Sequence, residues 1–212
     1  MVLQVDVISD VICPWCYIGK RRLEKAIAAL DGQHEVRVRW LPFQLNPTMP
    51  KEGVSRKEYR TKKFGSWERS QELDAQVAVA GKPDGIHFAS DRIERTPNTL
   101  DAHRLIWLAD QEGVQDAVME ALFKAYFTDG RDISNRQTLI DVGAEAGLDR
   151  HRTKAVLNSD EGLEAITETE AMSRRLRVDG VPFFIIDGKI TLPGAQPPDA
   201  FLAAFNQALA RK

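Results

Sequence analysis

The two cysteines of the chain, Cys13 and Cys16, lie between a strand pattern and a helix pattern, and this arrangement restricts the fold more than any other feature. Apolar and polar residues alternate over residues 2–8, as in a half-buried strand. Pro14 suits the first position of a helix, where its missing N–H has no partner to lose. The apolar spacing then predicts a helix that ends at Asp31-Gly32. The pair therefore stands at a strand-to-helix junction.

The segment after this helix predicts a second strand. Val36, Val38 and Trp40 alternate there with two arginines, which is the period-two pattern of a strand. A strand, a helix and a second strand in this order form a βαβ unit, whose two strands run parallel.

The C-terminal part predicts a hairpin followed by a helix. Val181-Pro182 precedes an apolar run over residues 183–186, and Asp187-Gly188 is a strong hairpin signal before a strand at 189–192. The apolar spacing from Ala200 to Leu209 predicts a closing helix. Together with the βαβ unit, these elements give a four-stranded mixed sheet covered by helices, which is the thioredoxin arrangement.

The middle of the chain has little strand pattern and predicts helices. One begins after Pro97-Asn98-Thr99, one covers residues 118–127, and one opens after Ser134-Asn135. Ser159 is the predicted cap of the last helix. We therefore predict an α/β thioredoxin fold made by residues 1–47 and 178–212, with a large all-helical insertion at residues 48–177.

Length and charge agree with one globular chain of ordinary composition. The 212 residues suffice for one sizeable core. A net charge of -2 does not predict nucleic acid or an anionic membrane as a partner. No apolar run reaches the roughly 18 residues of a membrane-spanning helix. Residues 1–6 lack the features of a secretory signal, and both cysteines are used in one pair, so the sequence predicts a cytoplasmic protein.

The Cys13-Pro14-Trp15-Cys16 spacing suits redox chemistry. With Cys13 at the helix N-cap, its sulfur is expected to accept hydrogen bonds from the N–H groups of Trp15 and Cys16 and lies at the positive end of the helix dipole. Both effects favour the thiolate, which is the form that attacks a disulfide. Cys16 is one turn away, within reach of a disulfide bond. Cys13 is thus the predicted nucleophile and Cys16 the more buried resolving thiol, with Pro14 and Trp15 beside them.

Two other interpretations of the pair are weaker. Half of a zinc site would need a second Cys-x-x-Cys, and the four histidines show no ligand-like spacing. Two inert core cysteines are disfavoured by a proline and a tryptophan between them at a helix start. We therefore expect no metal and no tightly bound cofactor.

Val181-Pro182 has two interpretations that the residues alone leave open. Proline is tolerated in the first position of a strand, and most X–Pro bonds are trans. Alternatively, a cis peptide presents the backbone of Val181 beside Cys13, where an extended substrate chain pairs with it.

Several motifs resemble those of the DsbA family, and more narrowly its FrnE-like branch, whose members lack signal peptides. The specific ones are Cys13-Pro14-Trp15-Cys16-Tyr17-Ile18-Gly19 after Ser9-Asp10, and Gly180-Val181-Pro182-Phe183-Phe184; residues 42–47, 98–103 and 194–197 support them. The resemblance implies a thioredoxin fold with a helical insertion, a nucleophilic Cys13, a resolving Cys16 and a cis Pro182.

The resemblance also implies an activity and an alternative to it. The implied activity is thiol–disulfide exchange through a mixed disulfide, with a disulfide-containing protein or a small thiol as substrate and glutathione as a candidate redox partner. The alternative is a glutathione-dependent transferase or a 2-hydroxychromene-2-carboxylate isomerase-like enzyme of the same superfamily. Those enzymes generally keep a single serine or cysteine at the helix start, so two cysteines favour disulfide exchange. Strongly oxidising relatives commonly carry a histidine between the cysteines, and Trp15 stands there instead. The net direction (oxidase, reductase or isomerase) therefore stays open.

Other charged residues are expected to be structural. His103 lies on an apolar helix stripe and is predicted to be a packing residue, and Asp10 is predicted to be a solvated loop residue. A basic cluster interrupted by acidic residues is predicted to be a solvated helix face; its members are Lys51, Arg56, Lys57, Arg60, Lys62 and Lys63. A homodimer through apolar surface of the insertion is left open.

Overall fold

The structure is a computed structural model that describes residues 2–30, 32 and 34–210. Along the chain, the strands and helices are β1 (Val2–Ser9), α1 (Pro14–Ala28), β2 (Glu35–Pro42), β3 (Val54–Ser55), α2 (Arg56–Phe64), α3 (Trp67–Gly81), β4 (Arg95–Thr96), α4 (Leu100–Gln111), α5 (Gln115–Phe123), α6 (Arg136–Glu145), α7 (Arg150–Leu157), α8 (Leu163–Arg175), β5 (Phe183–Ile186), β6 (Ile190–Pro193) and α9 (Pro198–Leu209).

The main sheet has four strands in the order β2-β1-β5-β6. β1 is parallel to β2, with Val7 opposite Trp40, and antiparallel to β5, with Val7 also opposite Phe184. β5 and β6 form the predicted antiparallel hairpin. At the start of β1 every second residue is buried, and the side chains of Leu3 and Val5 lie in the apolar core. The predicted α/β thioredoxin fold with a mixed sheet is confirmed.

The helix that carries the cysteine pair begins where it was predicted and ends earlier. Pro14 is its first residue and Cys13 its N-cap, whereas its last residue is Ala28 rather than a residue next to Asp31-Gly32. The N–H of Leu30 bonds to the carbonyl of Ile27, so the last turn is tightened and the α-helical pattern stops. Gly32 has a φ of +66°, which turns the chain away; Asp31 lies outside the described residues.

Helices α2–α8 form the insertion between β2 and β5. α4 begins after Pro97-Asn98-Thr99 as predicted, and Asn135 caps α6 by accepting hydrogen bonds from two backbone N–H groups. The predicted helix at 118–127 divides into α5 and a π-helical turn at 124–128. The insertion also contains an antiparallel pairing of β3 with β4, which the sequence pattern does not predict.

The predicted cap of the last insertion helix is wrong. α8 begins at Leu163, and its N-cap is Gly162 rather than Ser159. The Ser159 hydroxyl instead donates to the carbonyl of Val156 within a turn. A Cβ on residue 162 would lie 2.8 Å from the ring of Trp107, and φ there is +84°, so packing and backbone both require glycine.

An aromatic cluster joins the cysteine-bearing helix to the insertion. The ring of Tyr17 on α1 stacks on Phe123 with 4.9 Å between centroids, and also contacts Phe88 and Phe127. Such pairs add about 0.5–1.5 kcal/mol each beyond the area they bury. One continuous apolar core therefore holds the insertion against α1. Within the described ranges, no helix is both long and apolar enough to cross a membrane.

Candidate active site

The two thiols lie at the first turn of α1 with different degrees of burial. Cys13 is 5% exposed and Cys16 is completely buried, and both are free thiols. The loop before α1 positions Cys13, because its N–H bonds to the carbonyl of Asp10 at 3.0 Å. The carbonyl of Cys13 in turn accepts the N–H of Cys16 at 3.0 Å. Cys13 thus keeps a small exposed fraction and Cys16 keeps none, which is the order expected for a nucleophile and a resolving thiol.

The hydrogen bonding of the Cys13 sulfur differs from the expectation. No side-chain capping hydrogen bond from the N–H groups of Trp15 or Cys16 is formed. The thiol of Cys13 instead donates to the carbonyl oxygen of Val181, with 3.4 Å between sulfur and oxygen. A thiol carries a proton and turns it toward an acceptor, and the carbonyl of Val181 is in reach. The position at the positive end of the α1 dipole is as predicted.

The loop before β5 lies directly beside the nucleophile candidate. The Val181–Pro182 peptide bond is cis, as the motif resemblance implies. The carbonyl of Pro182 accepts the N–H of Gly194 at 2.8 Å, which ties the loop to the end of β6. α1 approaches this loop closely at Gly19, where an added Cβ would lie 3.1 Å from Pro182 and 3.0 Å from the Phe184 ring. Glycine at this position allows the helix to place the pair against the loop.

Cys16 is held as a thiol by its surroundings. Burial raises the pKa of Cys16 well above its ordinary range, and the neighbouring Cys13 sulfur raises it further. The hydroxyl of Ser9 and the backbone of Asp10 act in the opposite direction and favour the thiolate. The buried Ser9 hydroxyl has no hydrogen-bond partner among the described residues, so it is available to donate to the Cys16 sulfur when that sulfur loses its proton.

The prediction that Asp10 is a solvated loop residue is wrong, because its side chain is fully buried. One carboxylate oxygen accepts the N–H of Leu45 at 2.8 Å, and the other lies 3.4 Å from Nε2 of His103. The chain after β2 folds over Asp10 and closes it off from water. His103 is buried on α4, as predicted for a packing residue. Its contact with Asp10 joins residues that are 93 positions apart, so no local pattern indicates it.

Exposed apolar side chains surround the entrance to Cys13. Trp15 is 42% exposed and Leu45 is 38% exposed, whereas Pro14 is half-buried. An exposed tryptophan beside a reactive atom is suited to contact a substrate. Pro14 and Trp15 thus line one cavity together with Cys13, and the Val181 loop contacts the Cys13 sulfur.

A cavity of about 330 Å³ opens beside Cys13 and extends between α1 and the insertion. Arg56, Arg60 and Lys63 reach it from α2. The predicted solvated helix face is therefore wrong for two members of the basic cluster: Arg56 is buried and Arg60 half-buried, because both bind Asp74 on α3. The lysines of the cluster are exposed. Over the described residues, no group of three or more His, Cys, Asp and Glu side chains could hold a metal ion.

Comparisons with known proteins agree with this geometry. A probable DsbA oxidoreductase from Streptomyces coelicolor is 31% identical and superposes with a TM-score of 0.89 over 99% of this chain and 91% of its own. The uncharacterized protein YwbO of Bacillus subtilis is 26% identical over the full length of both chains. A putative protein disulfide isomerase from Nitrosomonas europaea is 16% identical, with a TM-score of 0.76 over 100% and 99% of the two chains, and shows likeness of fold alone.

The family assignment rests on nearly the whole chain. Residues 4–206 match the family described as the DSBA-like thioredoxin domain. That range contains the cysteine pair, all of the four-stranded sheet except the first two residues of β1, and the helical insertion. The protein is therefore a member of the DSBA-like thioredoxin domain family.

Proposed function

We propose that the protein is a thiol–disulfide oxidoreductase that works through Cys13 and Cys16, and that it belongs to the FrnE-like branch of its family. The observation that supports this most is the unequal placement of two free thiols at one helix start: Cys13 lines the cavity and keeps a small exposed fraction, whereas Cys16 is completely buried. A binding module would have no use for the buried thiol.

In the proposed reaction, the thiolate of Cys13 attacks one sulfur of a substrate disulfide. The other substrate sulfur leaves as a thiolate, and a mixed disulfide remains on Cys13. Cys16 then loses its proton and attacks the Cys13 sulfur, which releases the second substrate thiolate. The substrate has gained two electrons, and the protein holds a Cys13–Cys16 disulfide. The steps reverse when the substrate is a dithiol and the pair is oxidised.

Pro14, Trp15, Val181 and Pro182 form the proposed substrate-binding surface. The carbonyl of Val181 already accepts a hydrogen bond from Cys13, so it lies where an extended substrate chain can pair with the backbone. The Trp15 side chain offers apolar area to the same substrate. Glutathione is the proposed redox partner that reduces or oxidises the pair, and we propose the cytoplasm as the place of action.

The test is the redox equilibrium of the pair against a series of reduced and oxidised glutathione, read by thiol labelling. We expect one reversible two-electron transition in the wild type. Cys16→Ser should accumulate a mixed disulfide on Cys13, because the resolving thiol is missing, and Cys13→Ser serves as the matched control that forms none.

The alternative enzyme class gives a different result. A glutathione-dependent transferase or isomerase would show no two-electron transition, and Cys16→Ser would keep full turnover with glutathione. Either finding would contradict the proposed disulfide exchange.

A further inference from the structure

Three cationic side chains line the cavity beside Cys13, and one carboxylate faces them. Arg56, Arg60 and Lys63 project from α2, and Asp74 projects from α3. Asp74 binds both arginines, with 2.9 Å to Arg56 and 2.8 Å to Arg60. No other carboxylate occurs among the described residues that line the cavity. Two positive charges are therefore in excess.

Part of this excess charge is shielded from water. The side chain of Arg56 is 5% exposed and that of Asp74 is 16% exposed, and an unbalanced charge is costly where water is excluded. Burial and the neighbouring Arg56 charge lower the pKa of Arg60. Burial also raises the pKa of Tyr126, so its hydroxyl stays neutral and does not balance the arginines. An anionic ligand would supply the missing charge.

Lys63 stands at the exposed side of the same cavity. Its Nζ donates to the Tyr59 hydroxyl at 3.2 Å and lies 5.7 Å from the centre of the Phe64 ring. In the part of the chain that the structure describes, Lys63 forms no ion pair. The ammonium group of Lys63 thus lies beside aromatic side chains, and its positive charge is available to bind an anion.

The remaining walls suit an apolar body. Ile12 and Trp15 line the end near Cys13, and Phe88, Ile93 and Phe127 line the insertion side. The volume of about 330 Å³ falls within the range of about 300–1,000 Å³ that is typical of small-molecule sites. A folded protein domain does not fit into such a space.

We propose that this cavity binds a small disulfide that carries at least one carboxylate on an apolar or aromatic body, with Arg56, Arg60 and Lys63 receiving the carboxylate. This rests on the proposed function, since the bound disulfide reacts with Cys13. The Cys13 thiolate forms a bond to the nearer sulfur, and the farther half leaves as a thiolate. Cys16 then expels the nearer half as a second thiolate. Two molecules of a small thiol, which become joined to each other as a disulfide, supply the two electrons and two protons that return the pair to the dithiol.

The test compares two probes on Cys16→Ser, in which Cys13 is the remaining cysteine. The anionic probe is 5,5′-dithiobis(2-nitrobenzoate), and the neutral one is 2,2′-dithiodipyridine. Both release a coloured thiolate or thione, so the rate of mixed-disulfide formation is read directly. Each rate is measured with Lys63→Glu added, and with Lys62→Glu as the matched control. Lys62 is an exposed neighbour on α2 that does not line the cavity.

We expect Lys63→Glu to slow the anionic probe at least about fivefold and to leave the neutral probe within about twofold. Lys62→Glu should change neither rate by more than about twofold. Added salt should slow the anionic probe alone. If the anionic probe reacts equally fast with both glutamate variants, the inference is wrong while the proposed function stands. If neither probe reacts with Cys13 in the parent protein, the proposed function fails and the inference with it.

Discussion

Replacement of Asp10 by alanine removes a fully buried carboxylate that accepts a hydrogen bond from the chain after β2. The N–H of Leu45 loses its acceptor at 2.8 Å, whereas Nε2 of His103, 3.4 Å from the other oxygen, has no hydrogen-bond partner among the described residues and loses none. A polar group left without a partner costs about 1–3 kcal/mol. We therefore expect Asp10→Ala to lower the free energy of unfolding by about 1–3 kcal/mol. For a chain of this length, that corresponds to a fall in melting temperature of ~2–12 °C.

Two variants separate this effect from ordinary loss of charge. Asp10→Asn keeps an oxygen for the N–H of Leu45 and the same shape, so its cost should be about 1 kcal/mol. Asp6→Ala, on β1, removes a more exposed ion pair with Arg39 and should cost about 0–1 kcal/mol. The measurement is urea unfolding of the reduced protein. The variants are compared by their free energies of unfolding, with the same dependence on urea concentration (m value) required of each. If Asp10→Ala loses no more stability than Asp6→Ala, the buried contacts do not act as described.

Four further predictions concern the pair and its helix. Because burial raises the pKa of Cys16, resolution of a preformed mixed disulfide should speed up about tenfold per pH unit through the neutral range, measured by stopped flow. The same raised pKa means that the reduced protein loses stability as the pH rises above about 8.5, the ordinary pKa of an unfolded thiol; pH-dependent unfolding of wild type and Cys16→Ser checks this, and equal profiles would contradict it. Ser9→Ala removes a hydroxyl that favours the Cys16 thiolate, so it should slow resolution at fixed pH and leave attack by Cys13 unchanged. Gly19→Ala should cost about 1–3 kcal/mol in thermal unfolding because its Cβ meets Pro182, whereas Gly180→Ala, whose Cβ meets nothing within 4 Å, should be close to neutral.

Local patterns are sufficient to predict most of the sheet and the start of α1. The alternation over residues 2–8 predicts β1, Asp187-Gly188 predicts the turn between β5 and β6, and Pro14 marks the first residue of the helix. Each of these signals acts between residues a few positions apart, where backbone preference and side-chain spacing decide the structure.

The missed features depend on contacts between distant parts of the chain. Asp10 is buried because the segment around Leu45 and His103 on α4 close over it, and Arg56 turns inward because Asp74 lies on the next helix. Residue 162, the N-cap of α8, must be glycine because the ring of Trp107 from α4 approaches its backbone. A single sequence contains no spacing that reports such contacts.

The stacking of Tyr17 on Phe123 has a consequence for how new specificities can arise in this architecture. Tyr17 follows Cys16 directly in α1, so the reactive end of the helix and its attachment to α5 share one rigid turn. The arginines that line the cavity are on a different element of the insertion, α2. Substitutions on α2 can therefore change which molecule binds in the cavity, while the residues that surround the Cys16 sulfur stay the same.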